Sequence, residues 1–417
     1  MENNDLAKPK IVMLVGSPLT SLNYDRMGIE LLAQKFRVIC FDCSEWVGRF
    51  SDQEIGSFRN TIVQKVRSDK NFSELLNLYN PNYAIDFVGM TANTPRIGKL
   101  LKKHKVKFVI QVLGNLPSPK TSKWKSVIKF FHMKKTREHY HDSRINTMNS
   151  TGRISLEELL AKLFSKMKYW LLPYKLRLNT SYIALIAGNN SINALTRLAN
   201  KKIWVGAYDY YKYNKQSDDC SEISELNNQK YVVFVDECLV GALDWKVLGL
   251  QAPVTFDSYF TSLNLYFRRL EDKYSLRVII AGHPNSESDT KYANNFQGRK
   301  ILYNKTIELV KNSSAVLLHA STAVSFAVLA KKPVISLLTN ELQNSYYGNF
   351  IKCISREIGS ETVNIDSNEL KLTIPKNFDQ TKYDKYESNY LKNNLASTDA
   401  PWEVLATYLL KDFSIEE

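Results

Sequence analysis

The stretch Ile11-Val-Met-Leu-Val15-Gly16-Ser-Pro-Leu-Thr20-Ser-Leu-Asn-Tyr-Asp-Arg-Met-Gly-Ile-Glu30-Leu-Leu-Ala-Gln-Lys-Phe36-Arg-Val-Ile-Cys40-Phe41 holds a strand, a helix and a second strand with almost nothing between them. Ile11–Val15 is an unbroken apolar run, the composition of a strand covered on both faces. It stops at Gly16-Ser-Pro, and helical spacing then runs from about Asn23 to Gln34. Phe36–Phe41 follows at once as a second strand. Strand, helix and strand joined by short connections are the signature of a parallel sheet with helices on its faces. The pattern continues through a strand over Tyr83–Val88, a helix from Arg96 to Lys103 and a strand over Lys107–Leu113. Short strands return over Ser181–Ala187 and Lys202–Val205.

A chain of 417 residues is long for one core and suits two domains of roughly 200 residues each. Residues 212–229, KYNKQSDDCSEISELNNQ, lack apolar periodicity and read as the linker. Beyond them the alternation resumes, with strands at Tyr231–Val235, Arg277–Ala281, Ala315–Leu318 and Pro333–Ser336. Helices are expected at Phe256–Tyr274, Lys305–Asn312 and Ala323–Ala330. The expected plan is therefore an N-terminal Rossmann-like domain over 1–215 that carries a basic helical insert at about 118–178. A C-terminal Rossmann-like domain covers 216–395, and a last helix within 396–417, at Trp402–Lys411, crosses back to the first domain. Two Rossmann-like lobes facing across a cleft on one α/β chain resemble the GT-B architecture of glycosyltransferases, and that resemblance implies an acceptor-binding first lobe and a CMP-sugar-binding second one.

Composition narrows the function classes. Hydrophobic residues make up 44% and charged residues 24%, the balance of a globular protein, and no run approaches the roughly 18 apolar residues that cross a bilayer. The first ten residues lack the basic, then apolar, then small-residue order of a secretory signal, so the expected location is the cytoplasm. Five scattered cysteines fit reduced thiols, and the Cys40–Cys43 pair has no second pair with which to build a zinc site. It serves either redox or metal work or strand-end packing. The net charge of +14 calls for an anionic partner. Much of the excess lies between Lys120 and Arg177, where Lys and Arg alternate with Trp, Phe, Leu and Tyr. That mixture suits the face of an anionic membrane or, equally, amphipathic helices packed on the protein with their lysines reaching out to water. No nucleic-acid-binding module accompanies the charge, so nucleic acid is not an expected partner.

Three strand ends of the second lobe deliver polar residues to the edge where doubly wound sheets bind ligands. These are Val233-Phe-Val-Asp236-Glu237, Ile279-Ile-Ala-Gly282-His283-Pro284 and Val316-Leu-Leu-His319-Ala-Ser321-Thr322. Ser321 and Thr322 are expected at a helix start, where hydroxyls and amides with the helix dipole behind them suit a phosphate. His283, in a turn stiffened by Pro284, offers a hydrogen bond to the same phosphate. The chain has no Asp-x-Asp triplet, which favours stabilisation of the leaving group by these groups over a divalent cation. His319 is either a nucleotide contact or a buried, satisfied imidazole. Taken singly, each motif also has a bland reading as a cap, a turn or a solvated loop.

Paired acids at a strand end, a Gly-His-Pro turn and a Ser/Thr pair before a helix resemble bacterial transferases of CMP-activated ulosonic acids. Over about residues 10–410 the chain most resembles the retaining β-Kdo transferases of glycosyltransferase family 99. Gly16-Ser-Pro-Leu-Thr20, Leu113-Gly-Asn-Leu-Pro117, Ala187-Gly-Asn189 and Gly206-Ala-Tyr-Asp209 add to the likeness. The resemblance implies a CMP-Kdo donor, a lipid-linked or oligosaccharide acceptor in lipopolysaccharide or capsule assembly, and neither metal nor cofactor. It implies Asp236 as nucleophile in a double displacement, with His283, Ser321 and Thr322 on the donor phosphate. Glu237 would tune Asp236 or bind the donor. Because neighbouring residues of a strand point to opposite sides, only one of the two acids should reach the sugar. Glu158, in the first turn of a helix after Ser155, is either the acid/base for the acceptor or a residue that serves the helix dipole. Arg268, Arg269 and Lys273 are candidate cations for the donor's own carboxylate. A transferase of another CMP-ulosonic acid and a non-catalytic nucleotide-sugar-binding component of an assembly complex are the competing readings.

Overall fold

The computed structural model describes residues 8–48, 58, 61–89, 94–119, 182–216, 229–241, 245, 251–370 and 372–415. The strands of the first lobe are β1 (Lys10–Val15), β2 (Arg37–Asp42), β3 (Ile62–Lys65), β4 (Tyr83–Phe87), β5 (Lys107–Val112), β6 (Tyr182–Ile186) and β7 (Lys201–Trp204). They lie in the order β3-β2-β1-β4-β5-β6-β7, and every pairing is parallel. The second lobe contributes β8 (Tyr231–Val235), β9 (Arg277–Gly282), β10 (Ile301–Tyr303), β11 (Val316–Leu318), β12 (Val334–Leu338) and β13 (Glu361–Asn364). Their order, β10-β9-β8-β11-β12-β13, repeats that of the first six strands of the other sheet, again with every pairing parallel. Two doubly wound sheets on one chain match the expected α/β plan of two Rossmann-like lobes.

Side chains of β1 alternate between two cores. Ile11, Met13 and Val15 join one cluster, while Val12 and Leu14 join another on the opposite face. In β8, Tyr231, Val233 and Val235 join the first of these clusters, and Val232 and Phe234 a third. The first cluster therefore runs without interruption from one lobe into the other.

The structure departs from the sequence reading in several places. The single helix expected over Asn23–Gln34 is two, Ser21–Arg26 and Ile29–Ala33, parted at Gly28 with φ 63°. The ring of Trp402 occupies the space a Cβ at Gly28 would need, and its Nε1–H donates to the Arg26 carbonyl at 3.0 Å. Lys212–Lys215, expected in the linker, belong to the helix Tyr208–Lys215. That helix packs on Val324–Leu329 of the second lobe, and Gln216 just beyond it donates to Glu308 Oε1 at 2.7 Å. Residues 217–228 and nearly all of the basic insert lie outside the described residues. β3, β10, β13 and the helices Asp69–Tyr79 and Tyr346–Ile358 had not been anticipated.

After the helix Gln380–Tyr386 the chain makes a π-helical turn, Glu387–Leu391. This turn rests on the first lobe. Ala207 N donates to the Leu391 carbonyl at 2.7 Å, and a Cβ at Gly188 would lie 2.5 Å from the Asn389 carbonyl oxygen. The helix Pro401–Ser414 then lies on the first lobe, where Tyr83 donates to the Leu409 carbonyl at 2.9 Å and Lys107 pairs with Asp412 at 2.6 Å.

Cys40 and Cys43 are buried free thiols. Burial pushes Cys40 up to about 11 and raises Cys43 well above the usual thiol range, the latter helped by Asp42 and Asp86. Such thiols are packing groups rather than nucleophiles. Among the described residues no helix is long and apolar enough to cross a membrane.

Candidate active site

The order of the second sheet reverses between β8 and β11, so its carboxyl edge opens there into the crevice typical of such sheets. Asp236 and Glu237 leave β8, Gly282-His283-Pro284 leaves β9 beside it, and His319 to Thr322 leave β11 on the other side. The first lobe has a comparable edge. Gly16-Ser-Pro, Leu113-Gly-Asn, Ala187-Gly-Asn189 and Gly206-Ala-Tyr-Asp209 follow β1, β5, β6 and β7. The helices leaving the two edges, Tyr208–Lys215 and Val324–Leu329, pack on one another across the lobe junction.

Asp236 continues the β8 ladder, its amide donating to the Ala281 carbonyl at 3.0 Å. Its side chain is buried, and one oxygen, Oδ1, accepts from the Cys238 amide at 3.0 Å and the Tyr292 hydroxyl at 2.8 Å. The other oxygen, Oδ2, is enclosed and takes no hydrogen bond among the described residues. Burial raises the carboxyl above its ordinary range, while the Cys238 amide, Tyr292 and His283 pull it back down.

Glu237 turns the opposite way, as its place in the strand requires. Its Oε1 accepts from the amides of His319 at 2.9 Å and Ala320 at 2.8 Å, and its Oε2 accepts from the Tyr347 hydroxyl. Both oxygens are thus engaged by protein, where the expectation was that Glu237 tunes Asp236 or binds the donor. Desolvation lifts it to about 7 despite these donors. Because the folded value lies above the ordinary 4.5, the group contributes stability that is fully present below the unfolded value and lost as pH rises through the folded one. Wild-type unfolding free energy should therefore fall from pH 5 to pH 7.5 relative to Glu237→Gln, by at most about 1.4 kcal/mol per pH unit. Denaturant titrations of the two proteins at several pH values check this, and parallel profiles refute it.

His283 is half-buried and caps the turn Pro284–Ser286, its Nδ1 accepting from the Asn285 amide at 3.2 Å. In the neutral ring that assignment puts the proton on Nε2, which makes Nε2 a donor. Gly282 is fixed by packing, since a Cβ there would lie 2.5 Å from the Tyr303 ring and 2.8 Å from Ile301. It seats the His283-Pro284 turn and offers no side chain to a ligand.

Ser321 and Thr322 precede their helix rather than start it. The helix begins at Val324 after an Ala323 cap, and Ser321 Oγ accepts from the Ala323 amide at 3.2 Å. Thr322 is exposed and Ser321 half-buried. Among the described residues their two amides donate to no group, whereas the two amides before them are held by Glu237.

His319 is fully buried, and both ring nitrogens are occupied. Nδ1 meets the Leu337 carbonyl at 2.9 Å and Nε2 the Tyr259 hydroxyl at 3.0 Å. Burial lowers it to about 4, so it is neutral at physiological pH. The buried-imidazole alternative is the arrangement seen, and no ring nitrogen is left for a nucleotide. Arg268, Arg269 and Lys273 are also placed elsewhere. They lie toward the C-terminal end of the helix Phe256–Tyr274, which leads into the start of β9 at the amino edge of the sheet. Lys273 there donates to the Leu372 carbonyl at 2.7 Å. Glu158 lies outside the described residues.

Tyr292, Tyr347 and Tyr259, which hold Asp236, Glu237 and His319, escaped the sequence reading because nothing local marks them. Among the described residues no group of three or more His, Cys, Asp or Glu side chains is placed to hold a metal ion.

No protein-family model matches the sequence, and no curated protein does. Solved structures do match. The calicheamicin glycosyltransferase CalG4 superposes with a TM-score of 0.51 at 9% identity, over 97% of this chain and 98% of that one. The wall teichoic acid polymerase TagF gives 0.48 at 14% identity, over 98% and 90%. UDP-GlcNAc 2-epimerase from Methanocaldococcus jannaschii gives 0.47 at 12%, over 96% and 99%. At such identities the likeness is one of fold. The chain has the two-lobed GT-B architecture.

Proposed function

We propose that this chain is a retaining glycosyltransferase that moves Kdo from CMP-β-Kdo to a lipid-linked or oligosaccharide acceptor in lipopolysaccharide O-antigen or capsule biosynthesis. The GT-B architecture it shares with a glycosyltransferase favours glycosyl transfer in general. The observation that supports a donor site is the convergence of Asp236, His283 and Ser321-Thr322 on neighbouring strand ends at the switch point of the second sheet, while CMP-Kdo and retention rest on the resemblance of these motifs to the family 99 transferases.

In this reading the Nε2–H of His283 and the amides and hydroxyls of Ser321 and Thr322 bind the phosphate of CMP. Tyr292 and the Cys238 amide hold Oδ1 of Asp236, which leaves Oδ2 as the oxygen that bonds to the anomeric carbon. As that bond forms, the bond to the CMP phosphate oxygen breaks, and the hydrogen bonds from His283, Ser321 and Thr322 offset the charge that develops there. Oδ2 is enclosed in the structure, so donor binding must uncover it. In the second displacement an acceptor hydroxyl loses its proton to a base, the role proposed for Glu158, and takes the sugar from Asp236 with net retention. No metal enters this scheme, because the protein's own donors meet the phosphate. The enzyme would work in the cytoplasm, with the basic insert against the inner membrane face.

Intact-mass spectrometry after incubation with CMP-Kdo tests donor and mechanism together. The expected result is a mass increase of one Kdo on a peptide containing Asp236. An unmodified protein that yields product of inverted configuration overturns the proposal.

A further inference from the structure

We infer that Glu237 is a positioning residue, a carboxylate clasp across the switch point that shapes the loop after β11 so that the Ser321 and Thr322 amides face the donor phosphate. This deepens the reading above and rests on it for the identity of the ligand. The geometry comes from three elements. Glu237 leaves β8, its Oε1 takes the consecutive amides of His319 and Ala320 from β11, and its Oε2 takes the hydroxyl of Tyr347 at the start of the helix Tyr346–Ile358.

A strand end at the reversal of a doubly wound sheet leaves several backbone amides without ladder partners. Four such amides follow β11 here, and Glu237 takes the first two. The loop can then leave the strand in one direction only, and the next two amides are the ones left for a ligand. The side chain of His319 pins the same loop from the other side through Tyr259 and the Leu337 carbonyl. A site held by both backbone and side chain is ordered before its ligand arrives, which lowers the cost of binding. The clasp also explains a carboxylate so near a phosphate. Its charge is spent on protein donors, and only Asp236, on the opposite side of the strand, faces reaction chemistry.

Three variants and two readouts test the inference. Glu237→Ala removes the clasp, Glu237→Gln keeps an amide oxygen for both backbone donors, and Tyr347→Phe removes only the anchor on Oε2. Hydrogen exchange of the peptide spanning 316–323 is measured without nucleotide, and CMP affinity and CMP-Kdo kinetics are measured beside it. Glu237→Ala should exchange the 319–320 amides at least about tenfold faster and weaken CMP binding about tenfold or more, with donor KM rising more than kcat falls. Glu237→Gln should restore both toward wild type, and Tyr347→Phe should fall between. Wild-type exchange in Glu237→Ala overturns the clasp whatever the ligand is. Faster exchange with unchanged CMP affinity overturns its part in binding, and a Gln variant as defective as Ala shows that Glu237 acts through its charge instead. Wild-type protein that does not bind CMP sinks the donor reading and the presentation of its phosphate, while the exchange arm still decides whether Glu237 holds the loop. Should Glu237→Ala not fold, Tyr347→Phe carries both readouts, and wild-type behaviour in it counts against the inference.

Discussion

Asp236→Asn is expected to slow transfer by three orders of magnitude or more while CMP affinity stays within a few-fold of wild type. Asparagine retains the carbonyl oxygen that accepts from Tyr292 and from the Cys238 amide, so the local hydrogen bonds survive. It lacks the second oxygen, which in the native site is enclosed with no hydrogen bond among the described residues and is the group proposed to attack carbon. An interaction made only along the reaction path lowers kcat rather than substrate affinity when removed, and a covalent nucleophile is the strongest case. Tyr292→Phe offers a graded companion. It frees Oδ1 of one donor and should lower kcat more mildly, because the carboxylate proposed to attack loses its orientation rather than its existence. Steady-state kinetics with CMP-Kdo, paired with CMP titration calorimetry, read both effects. An Asn variant that keeps a tenth or more of wild-type kcat rules out Asp236 as nucleophile.

Trp402→Ala is expected to lower the free energy of unfolding by about 3–5 kcal/mol. Trp402 is only 2% exposed, and its ring lies against Gly28 and Phe87 of the first lobe. Its Nε1–H donates to the Arg26 carbonyl between the two short helices. Truncation would open a cavity in the largest core cluster and release the anchor of the helix Pro401–Ser414. Trp402→Phe keeps most of the ring and forfeits the hydrogen bond, so its cost should be nearer about 1 kcal/mol. Urea midpoints give the magnitudes, and hydrogen exchange over 401–414 reports whether the helix detaches. Equal losses in the two variants would mean that the hydrogen bond, not the packing, carries the anchor.

The central strands were legible in the sequence because parallel strands buried on both faces read as unbroken apolar runs, as in Ile11–Val15 and Tyr231–Val235. Edge strands were not. β3 and β10 are half-exposed to exposed throughout and β13 nearly so, and their mixed composition gives no period. The break at Gly28 was hidden for another reason, since its cause is a side chain nearly the full chain away. At the site, the strand-end positions of Asp236, His283 and Ser321 followed from where the apolar runs stop. The partners did not follow, because Tyr292 is 56 residues from Asp236 and Tyr347 is 110 from Glu237. Which protein hydroxyl holds each acid is invisible at those separations. His319 shows the same limit. A histidine at a strand end looks alike in sequence whether it is exposed or, as here, enclosed by Tyr259 and the Leu337 carbonyl.

The return of the last helix to the first lobe has a consequence for how the chain is made. Tyr83 finds the Leu409 carbonyl 326 residues later in the chain, so the lobe synthesised first cannot be completed until the ribosome has added those residues. At about 5–20 residues per second that interval is roughly 15 to 65 s. Throughout it the groove that will receive Trp402 presents apolar surface on the nascent chain. No single cut between the lobes yields two complete halves either, because each half produced at residue 216 would lack a partner for, or carry unburied, the helix Pro401–Ser414. Slower translation should therefore lengthen the time for which the first lobe waits for its last helix.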